Sequence, residues 1–214
     1  MQVRKMDEQA KKDVIQFYGS LFQKYGDTPQ SCGWSPEGQK FRFEKLINIA
    51  ALDNKKILDI GCGLGHLYPF ILKRYKNVEY TGVDINQKMI AYAQKKYKKA
   101  RFICRDILEY PLKERFGFAF ISGIFNDSII PDATNFLKRM ISETFKMCDY
   151  GLAFNFISTY VNLNSKSQAC HDPVTILDYC INNITRKVSL FHHYDRCEVC
   201  LFLYKKPDNE KKDN

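Results

Sequence analysis

Three aspartates lie at or near the ends of successive apolar segments, and the first segment leads into a glycine-rich loop. Asp59 lies in KILDI, directly before the loop Gly61–Gly65, which has glycine at every second position. Asp84 ends EYTGVD, and Asp106 ends ARFICRD. Glycines allow a ligand to approach the backbone closely, and a loop that opens a helix favours ligand binding at the helix start.

The spacing of this loop bears on the kind of ligand. A dinucleotide fingerprint is GxGxxG, whereas this chain has GxGxG. The Asp59 carboxylate would repel a pyrophosphate and attract an ammonium group, such as that of S-adenosylmethionine. Asp84 can accept hydrogen bonds from both hydroxyls of a ribose. Asp106 and the backbone N–H of Ile107 match the donor and acceptor edge of adenine.

The segments that position these residues alternate between strand and helix patterns. Parallel strands with helices on both faces bind ligands at the carboxyl ends of the strands. Only Asp195 and Arg196 separate the last two predicted strands. A link this short permits only an antiparallel hairpin. The fold class is therefore α/β, a doubly wound, mostly parallel, seven-stranded Rossmann-like sheet with a C-terminal antiparallel hairpin. The strands are predicted at 56–60, 79–84, 100–106, 116–122, 151–158, 187–194 and 197–204.

The length of 214 residues fits a single domain. We expect a helical cap over residues 1–54, a cofactor-binding core over 55–205 and a flexible tail over 206–214. Within the cap, helices are predicted at 7–25 and 38–52. The glycines and prolines between them predict irregular structure.

Composition narrows the partners and the compartment. No run approaches the roughly 20 apolar residues of a membrane span, and the N-terminus is charged, so we expect a cytoplasmic protein with no membrane partner. The net charge of +9 leaves a nucleic-acid partner possible but not favoured, because much of the excess falls in a helix end and the tail. The eight cysteines predict reduced thiols, and the single CxxC at Cys197 and Cys200 predicts no metal site.

The segments ILDIGCGLG, YTGVDI, RFICRDIL and FAFISGIFN resemble the successive motifs of the class I S-adenosylmethionine-dependent methyltransferases. The resemblance implies that Asp59 and the glycine loop surround the methionine part, Asp84 holds the ribose, and Asp106 with Ile107 reads adenine. Ser122 or Gly123 would offer a carbonyl to the ammonium group. The cofactor-binding set is Asp59, Gly61, Cys62, Gly63, Gly65, Asp84, Ile85, Asp106, Ile107, Ser122 and Gly123.

Other segments resemble a group of small stand-alone bacterial methyltransferases within this class. They are FYGSLFQKYGDTP, GWSPEGQKFRFEKL, SGIFN and GLAFNFISTYVN. Members of that group usually have an acidic residue at the position of His66. His66 follows the glycine loop and is the one weak candidate for a catalytic base, with a polar helix start as the structural alternative.

Candidate substrate-binding residues come from the cap and from the ends of the fourth and fifth strands. They are Tyr18, Trp34, Arg42, Asn126 and Asn155. The aromatic residues offer contact area, and Arg42 offers a cation for a carboxylate. The structural alternatives are core packing for the two aromatic residues, an exposed helix charge for Arg42, and loop capping for the two asparagines.

The predicted function is transfer of a methyl group from S-adenosylmethionine to a small-molecule acceptor, with S-adenosylhomocysteine as the product. Methylation of RNA or protein is the alternative. The fourth strand lacks the Asp/Asn-Pro-Pro-aromatic run of amino-methylating DNA enzymes. A nicotinamide-dependent oxidoreductase and a non-catalytic nucleoside-binding module are further alternatives.

Overall fold

A computed structural model describes residues 7–160, 168–193 and 197–205. Within them, helices and strands alternate from residue 56 onward. The α-helices are α1 (Glu8–Tyr25), α2 (Pro36–Leu46), α3 (Leu67–Leu72), α4 (Gln87–Lys96), α5 (Ala133–Lys146) and α6 (Pro173–Asn183). The strands are β1 (Lys56–Ile60), β2 (Glu79–Asp84), β3 (Arg101–Cys104), β4 (Phe116–Ile121), β5 (Cys148–Ile157), β6 (Val188–Phe191) and β7 (Glu198–Tyr204).

The strands form one seven-stranded sheet in the order β3-β2-β1-β4-β5-β7-β6. The first five are mutually parallel, and β7 runs antiparallel to both β5 and β6. The predicted Rossmann-like sheet with a C-terminal antiparallel hairpin is therefore confirmed. The chain reverses its direction across the sheet between β1 and β4, and this is where open sheets of this class bind ligands.

The core lies on both faces of the sheet, in two clusters of buried apolar side chains. All six residues of β4 are buried, as expected for a central strand covered by helices on both sides. Helix α5 contributes Phe136, Leu137, Met140 and Ile141 to one cluster at helical spacing.

Side-chain caps fix where several helices begin. Asp7 accepts the backbone N–H groups of Gln9 and Ala10 at the start of α1, and Ser35 accepts that of Gly38 in α2. Asn86 caps α4 in the same way, and its Nδ2 also donates to the carbonyl of Ile15. This second bond ties α1 to the carboxyl edge of the sheet.

Some predicted boundaries were wrong. The loop before α2 contains a 3₁₀ helix, Pro29–Cys32, so it is not wholly irregular. The predicted helix at 38–52 is α2 followed by a 3₁₀ turn, Ile47–Ile49. β5 begins earlier than predicted, and β6 ends at Phe191 because the exposed His192 and His193 leave the sheet. The tail predicted over 206–214 lies outside the described residues.

Candidate functional site

The glycine loop adopts backbone conformations that favour glycine. Gly61, Gly63 and Gly65 have φ values of 71°, 52° and 76°, all in the left-handed region. A Cβ at Gly61 would lie 2.2 Å from Cγ2 of Ile124. The N–H of Gly61 donates to the carbonyl of Val83 at 2.8 Å. The loop is therefore held against the end of β2, with backbone in place of side chains along its surface.

Asp84 connects the glycine loop to the start of α4. Its Oδ2 accepts the N–H of Gly63 at 2.8 Å, and its Oδ1 accepts the N–H of Asn86 at 2.8 Å. Burial raises the pKa of the Asp84 carboxyl, whereas these backbone donors favour its charged form. Each carboxylate oxygen has a second lone pair, so Asp84 remains able to accept hydrogen bonds from a ligand.

Asp59 lies behind the loop rather than in the cavity that the loop borders. It is buried, and the hydroxyl of Tyr80 donates a short hydrogen bond to its Oδ2. Burial raises the pKa of Asp59 to about 7, the Tyr80 bond opposes that rise, and the charge of Asp84 adds to it. This position does not favour the predicted contact between the Asp59 carboxylate and the methionine part, because Asp59 does not line the cavity.

Asp106 follows β3, lines the cavity and also pairs with a residue of helix α1. Its Oδ1 accepts the N–H of Leu108 at 2.9 Å, and its Oδ2 lies 2.9 Å from Nζ of Lys11. Lys11 also lies 3.5 Å from Oε2 of Glu109. The lysine holds α1 against the segment predicted to read adenine, and sequence reasoning missed it.

The end of β4 meets the cap at Gly123. Gly123 has φ 81°, and its N–H donates to Oδ1 of Asn155 at 3.1 Å. A Cβ at this position would lie 2.5 Å from Cζ2 of Trp34. The indole therefore covers the glycine closely, and only glycine fits beneath it without displacement.

A polar chain continues from Asn155 back to the same indole. Nδ2 of Asn155 donates to Oε2 of Glu198 at 3.2 Å, and Glu198 is ion-paired with Arg42. The Arg42 guanidinium lies over the Trp34 ring, 3.4 Å from its centroid. We call Gly123, Asn155, Glu198, Arg42 and Trp34 the clamp network. It joins α2 and the loop before it to the sheet beneath the site.

The glycine loop, β2, β3 and β4 surround a single cavity that α1 and Trp34 cover. The space among its lining residues, including solvent at its open side, is about 910 Å³. Of the predicted site residues, ten line it: Tyr18, Trp34, Gly61, Gly63, Asp84, Ile85, Asp106, Ile107, Ser122 and Gly123.

Seven predicted residues do not line this cavity. Asp59 lies behind the loop. Cys62 and Gly65 belong to the loop but do not border the cavity: Cys62 is buried, and a Cβ at Gly65 would meet Phe102. Arg42 and Asn155 belong to the clamp network. Asn126 is buried and accepts the N–H of Ile157 at 2.9 Å, and His66 lies elsewhere.

His66 is the N-cap residue of α3 and interacts with the cap segment. Its Nε2 lies 2.9 Å from Oδ1 of Asp27, and its Nδ1 lies 3.2 Å from Nε2 of Gln39. Lys96 pairs with the other oxygen of Asp27. Both ring nitrogens thus have partners away from the cavity, which gives His66 a structural role.

Sequence reasoning missed two groups of lining residues. The first is Val14 and Ile15 of α1, which line the cavity beside the predicted Tyr18 and share its helix face with Lys11. Their helical spacing was a usable signal. The second lies after β4 and on α5, and no local pattern separated these residues from core positions. It comprises Ile124, Asp127, Ile130, Phe136 and Met140.

Two kinds of feature are absent from the residues that the structure describes. No group of three or more His, Cys, Asp or Glu side chains that could hold a metal ion is found among them. No helix in the same residues is long and apolar enough to cross a membrane.

Comparisons with known proteins agree with this architecture. A family model described as a methyltransferase domain matches residues 57–143, from β1 into α5. The chain is 26% identical over 170 residues to a Mycobacterium tuberculosis protein whose name assigns it provisionally to the methyltransferases. That match covers 75% of this chain and 98% of the relative.

A second relative is the malonyl-[acyl-carrier protein] O-methyltransferase of Acetivibrio thermocellus, 33% identical over 92 residues. The match covers 41% of this chain and only 32% of that protein. Among solved structures, the magnesium protoporphyrin IX methyltransferase of Synechocystis PCC 6803 with bound S-adenosylhomocysteine has a TM-score of 0.69 at 18% identity. It covers 92% of this chain and 100% of that one.

The strand order, the glycine loop and the family match point to one class of protein. Together they support a class I S-adenosylmethionine-dependent methyltransferase.

Proposed function

We propose that the protein binds S-adenosylmethionine in the cavity at the carboxyl edge of the sheet and transfers its methyl group to a small-molecule acceptor, releasing S-adenosylhomocysteine. One observation carries the proposal. The glycine loop, Asp84, the Asp106–Ile107 pair and Ser122–Gly123, which lie far apart in the sequence, line one cavity.

The residues present fit this cofactor. The left-handed backbone at Gly61 and Gly63 forms a cradle without side chains, which suits the methionine part. Asp84 would accept bonds from the ribose hydroxyls while keeping its backbone donors. Ile85 and Ile107 offer apolar contact to adenine, and Asp106 offers an acceptor for its amino group. Lys11 then competes with adenine for Asp106.

S-adenosylmethionine supplies a methyl group already activated by its positively charged sulfur. The protein can therefore gain rate by aligning the acceptor and by excluding water, without a dedicated base. Tyr18 and Trp34 cover the cavity and serve that exclusion. His66 takes no part, because both its ring nitrogens face the cap segment.

The form of the cavity supports a small acceptor rather than a polymer. Helix α1 covers it, tied down by the Asn86 bond to Ile15 and by the Lys11–Asp106 pair. The porphyrin named for the Synechocystis enzyme is a small molecule, whereas the name of the Acetivibrio enzyme places its acyl group on a carrier protein.

Calorimetric titration with S-adenosylmethionine and with NAD tests the proposal directly. We expect binding of S-adenosylmethionine only, and a loss of at least about tenfold in affinity for Asp84→Ala. Glu114→Gln, which alters an exposed carboxylate paired with Arg101, is the matched control and should bind normally. Release of S-adenosylhomocysteine with candidate acceptors then separates an enzyme from a binding module. An Asp84→Ala variant that folds and binds as well as the native protein would contradict the assignment.

A further inference from the structure

Asp127 has a carboxylate oxygen that the protein itself leaves without a hydrogen bond of good geometry. It follows β4 and lines the cavity. Its Oδ1 accepts the N–H of Ile129 at 2.9 Å. Its Oδ2 is buried and has no partner of good hydrogen-bond geometry among the described residues, although the Tyr18 hydroxyl lies near enough to interact with the Asp127 carboxylate. Leaving such an acceptor unmatched is costly, so this oxygen is suited to a donor on a ligand.

The surroundings of Asp127 combine one polar partner with apolar walls. The Tyr18 side chain lies beside it, and burial, together with the nearby Asp127 charge, raises the pKa of the Tyr18 hydroxyl well above its usual value. The phenol therefore stays protonated at neutral pH. Val14, Ile130, Phe136 and Met140 line the same cavity with apolar surface. A ligand here would need an apolar framework with a hydrogen-bond donor.

The charges of the cavity favour a cation over an anion. Its lining includes Asp84, Asp127 and Asp106, of which Asp106 is already paired with Lys11, and among the described lining residues Arg105 is the only Lys or Arg. Arg105 is largely exposed to solvent, which screens its charge. Arg42, the cation predicted to receive a carboxylate, is instead paired with Glu198. A carboxylate acceptor would therefore meet like charge, and an amine would meet opposite charge.

We propose that Asp127 and Tyr18 form the acceptor subsite and that the acceptor is a small amine on an apolar framework, with its nitrogen held by Asp127. This inference rests on the proposed methyl transfer. It adds the substrate class and a specificity-determining residue that sequence reasoning missed.

The transfer balances with the groups named. The amine, bound as its ammonium ion, first gives one proton to water. Its neutral nitrogen then uses the lone pair to form the new N–C bond, while the S–C bond breaks and its electron pair stays on sulfur. The positive charge thus moves to the nitrogen, where the Asp127 carboxylate stabilises it. The methylated product leaves as an ammonium ion, so no second proton transfer is needed.

Ligand binding to the protein saturated with S-adenosylhomocysteine tests the subsite without turnover. The probes are 2-phenylethylamine, 2-phenylethanol and 3-phenylpropionate, with hexylamine, hexanol and hexanoate as a straight-chain series. We expect at least one amine to bind about tenfold or more tightly than its alcohol, and the carboxylates not to bind. Equal binding within both series, preference for a carboxylate, or no binding of either amine would overturn the proposal.

Variants show whether Asp127 causes the preference. Asp127→Asn keeps an acceptor for the Ile129 N–H but removes the charge, so we expect the preference for the amine over the alcohol to fall about tenfold or more. Asp149→Asn makes the same change at an exposed carboxylate paired with Arg115, and it should keep the preference. An unchanged preference in Asp127→Asn would contradict the assignment.

Titration with S-adenosylmethionine separates this inference from the function on which it rests. If the native protein and Asp127→Asn both bind the cofactor but no amine preference is found, only the amine subsite is wrong. If the native protein does not bind the cofactor, the proposed function itself fails.

Discussion

The Arg42 guanidinium lies 3.4 Å from the centroid of the Trp34 ring and at the same time pairs with Glu198. The Arg42 and Glu198 side chains are only 11% and 6% exposed. Arg42 thus links the indole that covers Gly123 to the carboxylate that holds Asn155. Stacking and a planar fork of donors explain why arginine suits this position better than lysine.

Removing the charge of Arg42 should destabilise the fold strongly. Arg42→Met takes the ion-pair partner from a buried carboxylate, and we expect the free energy of unfolding in urea to fall by about 3 kcal/mol. The double variant Arg42→Met, Glu198→Gln removes both charges and should be more stable than the single variant. If the double variant loses as much unfolding free energy as the two single variants together, the interpretation of Arg42 and Glu198 as a buried ion pair would be contradicted.

Replacing Gly123 should disturb the cap through Trp34. Gly123→Ala forces a side chain onto a left-handed backbone and places its Cβ against the indole. In a double-mutant cycle on the free energy of unfolding, Gly123→Ala should cost less when Trp34→Ala is already present. We expect a coupling of about 1 kcal/mol or more. Additive costs would mean that the backbone conformation alone excludes alanine.

The carboxyl of Asp59 should make stability depend on pH. Its pKa is about 7 in the folded protein, against about 3.9 in an unfolded chain. As pH rises, the unfolded chain therefore loses this proton at a lower pH than the folded protein does. The stabilisation from this proton is complete below about pH 4 and is lost as pH rises towards 7.

Asp59→Asn checks this sign. Its oxygen can still accept the Tyr80 hydroxyl, but the group cannot titrate. Urea unfolding between pH 4 and 8 should show a flatter pH dependence for this variant than for the native protein. A native protein whose stability rises with pH across that window, with the same slope in the variant, would contradict the raised pKa.

Removing the imidazole of His66 should affect stability more than transfer. His66→Ala loses partly buried contacts with Asp27 and Gln39, and we expect a loss of about 1 kcal/mol or less in unfolding free energy. Release of S-adenosylhomocysteine, measured below the unfolding temperature, should be unchanged. A large loss of turnover with normal cofactor affinity would restore the catalytic role considered from the sequence.

Local pattern was sufficient to predict the fold. The boundaries of β1 and β2 agree with the prediction, because a short apolar run before a glycine loop or an aspartate leaves little freedom. The short link predicted between β6 and β7 indicated that the two strands are antiparallel, which the structure confirms. The link itself is longer than predicted, because β6 ends at Phe191 and β7 begins at Glu198. Boundaries were less predictable where polar residues continue a strand, as at Cys148–Tyr150 of β5.

The candidate site was only partly predictable, because sequence shows which strand end carries a residue but not which way its side chain points. Asp59 and Asp84 each lie at a strand end, yet only Asp84 lines the cavity. Arg42 was weighed as an open cation because Glu198, 156 positions later, gives no local sign of pairing with it. Long-range contacts of this kind depend on the completed sheet.

The placement of β7 between β5 and β6 has a consequence for biosynthesis. Glu198, the carboxylate on which Arg42 and Asn155 converge, lies on the last strand of the sheet to leave the ribosome. A nascent chain therefore carries the cap, the glycine loop and Gly123 well before the residue that fastens them together. A chain terminated before that final strand would leave Arg42 without its acidic anchor.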